Sequence, residues 1–172
     1  MAKETKNTKP VADGEILDFS EVRPFDPLDS KAMYKVRVSN LENVDASTGK
    51  KMAAAELEIL APEEVQAEEW LENDEGELTY VGMATNKDGS PRMIKAAGRK
   101  LFRNFVKEPK ALPFLYQFLK ACDPDVELNE AFRFKPAEWI GMELAIKGEN
   151  QAYNEQVRLA PNKLYPVSKF KG

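Results

Sequence analysis

Histidine is absent from this chain, and cysteine occurs once, at Cys122. Those two absences remove whole classes of chemistry. Without histidine there is no Ser-His-Asp or Cys-His relay to activate a nucleophile and no imidazole ligand for zinc, and one thiol cannot supply a thiolate cage. A single cysteine also forbids an internal disulfide, so a reducing cytoplasm is the expected compartment. No GxxxxGK[ST] or GxGxxG run occurs, so neither a nucleotide-hydrolysing nor a dinucleotide-using enzyme is expected, and no cofactor is. No apolar run approaches the roughly 20 residues that cross a bilayer, and the opening MAKETKNTKP lacks the apolar core of a signal peptide, so no membrane association is expected. Carboxylate-only Mg²⁺ chemistry needs just a few acidic oxygens, but no constellation in the chain asks for it.

What is present fits one domain with a tail. A chain of 172 residues buries a single core without metals or disulfides. Residues 1–14 read as a flexible N-terminal tail, polar and with little to bury. Residues 15–172 form the domain, with an insertion at about 61–91. Its lead-in, ILDFSEVRPFDPLDS, holds Phe19, Val22 and Phe25 in a frame that prolines bar from being a long helix. Met33 to Val38 alternates as a half-buried strand, SNLENVDASTGK is a loop, and Lys51 to Leu60 is a second strand that pairs antiparallel with the first.

Charge is distributed unevenly along the chain. Glu56, Glu58, Glu63, Glu64, Glu68, Glu69, Glu72, Asp74, Glu75 and Glu77 follow one another with no intervening Lys or Arg. Within that block Pro62 to Leu71 is expected to be a short acidic helix touching the domain through Val65 and Trp70, and Glu77 to Met83 a strand, with NKDGSP as a turn. The block reads as a solvated insertion that is dispensable for folding, and it offers a means of recruiting partners or of competing with a polyanion.

The basic stretch follows at once. RMIKAAGRKLFRNFVKEPK carries Arg92, Lys95, Arg99, Lys100, Arg103, Lys107 and Lys110 against Glu108 alone, with Phe102 and Phe105 among the cations. Interleaved cations and rings suit a single-stranded nucleic acid, since cations follow phosphates while rings stack on exposed bases. An amphipathic helix is open to it, with Ile94, Leu101, Phe102 and Phe105 on one face, although Gly98 would cost such a helix roughly 1 kcal/mol. A strand from about Lys100 to Val106 is the favoured reading, a choice that rests partly on the resemblance given below. Strand parity then sets Lys95, Arg99 and Arg103 beside Leu101 and Phe105, and Phe102 beside Asn104 and Val106. The cationic side is the natural nucleic-acid face, which makes Phe105 the stacking ring and Phe102 the core ring.

Downstream, Pro109 to Cys122 is the best helix, with Leu112, Leu115, Phe118, Leu119 and Cys122 at helical spacing and Phe114 and Tyr116 read as packing residues. PAEWIG reads as a one-turn helix closed by Gly141. Two closing strands are expected at Met142 to Lys147 and Asn154 to Leu159, joined by a turn over GENQAY. The element order, with one helix between the third and fourth main strands, matches a mainly β, OB-like five-stranded Greek-key barrel with one core helix and an acidic insertion.

The ordered motifs DFSEVRPFDPL, MYKVRV, STGKKM, GRKLFRNF, PKALPFLYQFLKAC, WIGMELAIK and YNEQVRL, from about Phe19 to Tyr165, resemble those of a family of small phage-encoded single-stranded DNA-binding proteins. The resemblance implies a non-enzymatic, OB-fold protein of phage DNA replication and recombination that binds single-stranded DNA with little sequence preference in the host cytoplasm. Residues 61–91 depart from the compact family pattern. The chain also ends in SKFKG where many single-strand binding proteins carry an acidic tail, which leaves recruitment of replication or recombination proteins to the internal segment 56–77. On this reading Lys50, Lys51, Lys95, Arg99, Lys100, Arg103 and Arg158 meet phosphates, and Phe102 or Phe105 together with Tyr153 stacks on bases. The alternative is a protein-binding adaptor or inhibitor acting through the acidic insertion. A net charge of −4 leans that way, because whole-molecule steering toward DNA would be weak. A carboxylate and Mg²⁺ nuclease comes third.

Overall fold

The computed structural model describes residues 14–16, 26–153 and 156–171. The expected tail up to residue 13, and Phe19, Val22 and Phe25 of the lead-in, lie outside the described residues. Among the described residues nine strands and one α-helix follow in the order β1 (Tyr34–Asp45), β2 (Lys51–Ala61), β3 (Glu64–Gln66), β4 (Glu68–Glu72), β5 (Leu78–Met83), β6 (Met93–Lys95), β7 (Lys100–Val106), α1 (Leu112–Cys122), β8 (Glu143–Tyr153) and β9 (Gln156–Pro166). The protein is mainly β with one helix. No helix among the described residues is long and apolar enough to cross a membrane.

Five strands form one antiparallel sheet in the order β7-β2-β1-β8-β9. Its inner face follows from period-2 alternation: Tyr34, Val36 and Val38 of β1 and Ala53, Ala55, Leu57 and Ile59 of β2 are buried, with charged residues between them. A register irregularity between Val38 and Asn40 resets the alternation, so that Leu41 is the next buried residue of β1. Strand β1 runs on to Asp45, well past the expected end at Val38. The expected loop is therefore only the turn around Ala46 to Lys50, where Gly49 adopts φ 86°.

The closing hairpin is also longer than expected. GENQAY is not a turn but the second half of β8, and the chain reverses between Tyr153 and Gln156, which pair. Gly148 serves close approach there: a Cβ at that position would stand 2.6 Å from the Ala160 carbonyl oxygen. Helix α1 begins at Leu112 rather than Pro109, with Pro113 in its first turn where the missing N–H costs nothing. It buries Leu115, Phe118, Leu119 and Ala121, and the Phe118 ring lies 4.9 Å from that of Phe105. Phe114 and Tyr116, expected to pack, are instead exposed, because they flank the buried stripe at helical spacing.

The insertion is built of strands. β3 pairs with β6 and β4 with β5, both antiparallel, where a helix from Pro62 to Leu71 was expected. A helix would have stacked Glu64, Glu68 and Glu72 at i, i+4 with like charge, whereas strands part them. Nor is the whole block solvated. Glu68 is buried and accepts hydrogen bonds from the Ser30 amide (2.7 Å), the Ser30 hydroxyl (2.6 Å), Trp70 Nε1 (2.9 Å) and Asn150 Nδ2 (2.7 Å). Burial pushes its pKa upward, and these four donors together outweigh that and hold it below the usual carboxylate range.

Candidate nucleic-acid interface

Strand β7 takes the range expected for it, and its neighbours decide which residues face out. Paired with β2 through Leu57↔Leu101, Ala55↔Arg103 and Ala53↔Phe105, it turns Leu101 and Phe105 into the core and leaves Lys100, Phe102 and Asn104 on the outside. The two rings therefore exchange their expected roles: Phe105 is 2% exposed and Phe102 61% exposed. The parity was read correctly, but the side carrying Arg99 and Arg103 is the inner one, because it shares Leu101 and Phe105 with the core.

Those two arginines are spent on their own chain. Arg99 Nη1 donates to the Asp26 carbonyl at 2.7 Å, and Arg103 Nη1 donates to the Pro161 carbonyl at 2.9 Å. The Arg103 guanidinium also lies 4.7 Å from the centroid of Phe105 and 5.8 Å from that of Phe114. Desolvation lowers the pKa of both, although an arginine stays charged at any ordinary pH. Four antiparallel steps separate β7 from β9, so these edge strands run in the same direction, and Arg103 reaches from one to the other without a backbone ladder between them.

Between the two edges lies a cleft of about 700 Å³. Arg99, Lys100 and Phe102 line it from β7, and Tyr153 and Arg158 from the β8–β9 hairpin, which brings together five of the ten residues singled out from the sequence. Tyr153, next to the reversal, is 68% exposed. Asp26 is the one acid of the lining among the described residues. It is buried and held by Arg92 through Nε at 3.2 Å and Nη2 at 2.9 Å. The lining is thus cationic and aromatic in a protein whose total charge is negative.

The cations are not all idle. Lys100 Nζ lies 3.2 Å from Glu56 Oε2 and 3.9 Å from Glu58 Oε1, and Arg158 Nη2 donates to Gln156 Oε1 at 3.0 Å. The Ser39 hydroxyl and Lys100 hold the Glu56 carboxyl below its usual range. Such exposed pairs are weak, so a phosphate can displace the carboxylate.

The other sequence-derived residues lie elsewhere. Lys50 and Lys51 sit at the far end of β7, where the Lys107 amide donates to the Lys51 carbonyl at 2.9 Å. They lie about 23 Å from Lys100 by strand rise. Lys50 faces Glu108 at 3.8 Å and Lys51 faces Asp45 at 3.4 Å. Lys95 belongs to β6, 3.9 Å from Glu63, and does not line the cleft.

Sequence reasoning missed Asp26, Gln151 and Gln156. For Gln151 no periodic signal existed, since Gln151, Ala152 and Tyr153 are all exposed and the register irregularity between Lys147 and Glu149 breaks the alternation of β8, while Gly148 resembles a turn. Among the described residues no group of three or more acidic or cysteine side chains is placed to hold a metal ion.

Fold and site together define a mainly β domain whose unpaired sheet edges border a cleft that, among the described residues, is cationic and rimmed by aromatic rings. Comparison of the sequence with protein-family models gives no match, and comparison with curated proteins gives none either.

Proposed function

We propose that this domain is an OB-like barrel, left open between β7 and β9, that binds single-stranded DNA without enzymatic activity and with little sequence preference. The strand order β7-β2-β1-β8-β9 with a helix between the third and fourth long strands supports the barrel reading, as does the arginine that bridges its open seam. The observation that carries the function is the placing of two exposed rings, Phe102 and Tyr153, on one cleft with Lys100 and Arg158. Rings exposed to this degree add nothing to a core, and bases have faces to stack on them. The domain's place in phage replication or recombination rests on the sequence resemblance alone.

The test is a titration of labelled single-stranded DNA, duplex DNA and RNA against the full chain and against Phe102→Ala and Tyr153→Ala. Tight binding of the single strand, weakened in each variant, is expected. Equal affinity for duplex, or indifference to both rings, would overturn the reading. A second reading, an adaptor for another protein, draws on the exposed Leu71, Tyr80 and Val81 of the acidic β4–β5 hairpin. It gains if no nucleic acid binds.

A further inference from the structure

The β4–β5 hairpin springs from the wall of the cleft. At its root the Glu68 amide donates to the Pro27 carbonyl at 3.0 Å, and the Glu68 carboxylate is bonded to Ser30 and Asn150. Leu28 and Gln151, next along the chain, line the cleft. Beyond that root the hairpin stands clear. Leu71, Tyr80 and Val81 are exposed, and Glu72, Asp74, Glu75 and Glu77 make no ion pair among the described residues. No residue of β4 or β5 lines the cleft of its own chain.

Hairpin and cleft are complementary. One offers unpaired carboxylates around exposed apolar side chains, the other Lys100 and Arg158 around the exposed rings of Phe102 and Tyr153. Resting on the single-strand reading for the role of the cleft, we propose that the β4–β5 hairpin docks in the cleft of a second copy of this chain. Two copies do so reciprocally about a two-fold axis, closing each other's clefts until a nucleic acid displaces the hairpins. The two-fold form follows from position. Because hairpin and cleft share one wall, each copy presents both surfaces on the same side, which suits a closed isologous pair rather than an open filament. The hairpin reaches about 16 Å from its root at strand rise, enough to enter a neighbour's cleft.

The experiment measures the mass of the full chain in solution at about 0.1 M and about 1 M salt, between which the screening length falls from about 10 Å to about 3 Å. A dimer is expected at the lower salt and a monomer at the higher. An oligothymidylate of about 12 nucleotides, within the usual site size of such a domain, should dissociate the dimer. The fourfold variant Glu72→Gln, Asp74→Asn, Glu75→Gln, Glu77→Gln, all at exposed positions, should be monomeric in both. If about four-fifths of clefts are closed in the parent protein, the variant binds the oligonucleotide about fivefold more tightly at low salt. A parent protein that is monomeric at 0.1 M salt overturns the proposal. So does a variant that dimerises as well as the parent, or an oligonucleotide that adds its mass to an intact dimer. If neither protein binds the oligonucleotide while the masses behave as stated, reciprocal docking stands and the single-strand reading falls.

Discussion

Exchanging the roles of Phe102 and Phe105 gives the sharpest test of the interface, because the two rings sit three residues apart and differ in one property. Phe105 is fully enclosed, with Phe118 at 4.9 Å and the Arg103 guanidinium over its face. Its truncation to alanine loses transfer free energy and leaves a cavity, about 3 to 5 kcal/mol in all. For a protein of this size 1 kcal/mol corresponds to about 2 to 4 °C of Tm, so a fall of about 6 to 20 °C is expected. Phe102, mostly in water, should change stability by no more than about 0.5 kcal/mol. If its ring stacks on a base, the same truncation costs about 1 to 3 kcal/mol of binding. At 1.4 kcal/mol per decade that weakens Kd by about 5- to 150-fold. Paired thermal melts and anisotropy titrations on both variants read the two quantities separately. The reasoning is refuted if Phe102→Ala melts early with its affinity kept, or if Phe105→Ala is as stable as the parent.

The salt dependence of binding should be shallow. With Lys100, Arg158 and at most Arg99 available to phosphates, the slope of log K against log salt is expected near −1.4 to −2, read from titrations at several salt concentrations; a slope steeper than about −4 would mean that other cations take part. Acid should destabilise the domain partly through Glu68. Its folded pKa lies below its unfolded one, so its contribution is present above the unfolded value and is lost as pH falls through the folded value. Glu68→Gln should cost about 1 to 3 kcal/mol at neutral pH by leaving buried donors unpaired, and should flatten the acid side of the stability profile in denaturant melts. Trimming the hairpin tip between Asn73 and Glu77 to a two-residue Asn-Gly turn should change stability by no more than about 0.5 kcal/mol, whereas deleting 63–77 removes Val65, Ala67 and Glu68 from their buried sites and should unfold or strongly destabilise the domain.

The elements legible in the sequence were those whose pattern is local. Alternation placed β2 almost to the residue and, with the family resemblance deciding against a helix, β7 as well, while helical spacing placed α1, because each buries one face on a regular period. Where a bulge reset the period, as after Val38, or where a glycine served close approach rather than a turn, as at Gly148, the strand ran further than its pattern announced. Parity at β7 divided the side chains correctly into two sets and still left the inward set to be chosen. The arginines tilted that choice toward water. Only the Asp26 and Pro161 carbonyls, 73 and 58 residues away, show that both guanidinium groups are satisfied within the fold. Glu68 misled for the same reason, since its donors come from Ser30 and Asn150 at the two far ends of the domain.

A chain of net charge −4 that engages a polyanion must do so over short distances. At physiological ionic strength the screening length is about 8 Å, so the hairpin-tip carboxylates, about 16 Å from the cleft wall at strand rise, barely oppose a strand already seated there. On the single-strand reading they should slow its approach, because an incoming strand meets the field of the whole molecule before it meets the cleft. Two of the three arginines of the basic stretch are tied to carbonyls, and the lysine nearest the exposed ring is shared with two glutamates. On the single-strand reading, affinity on this surface should therefore be carried more by Phe102 and Tyr153 than by charge. Stacking is indifferent to salt and nearly indifferent to sequence, and an affinity that survives high salt while vanishing with the two rings would be its signature.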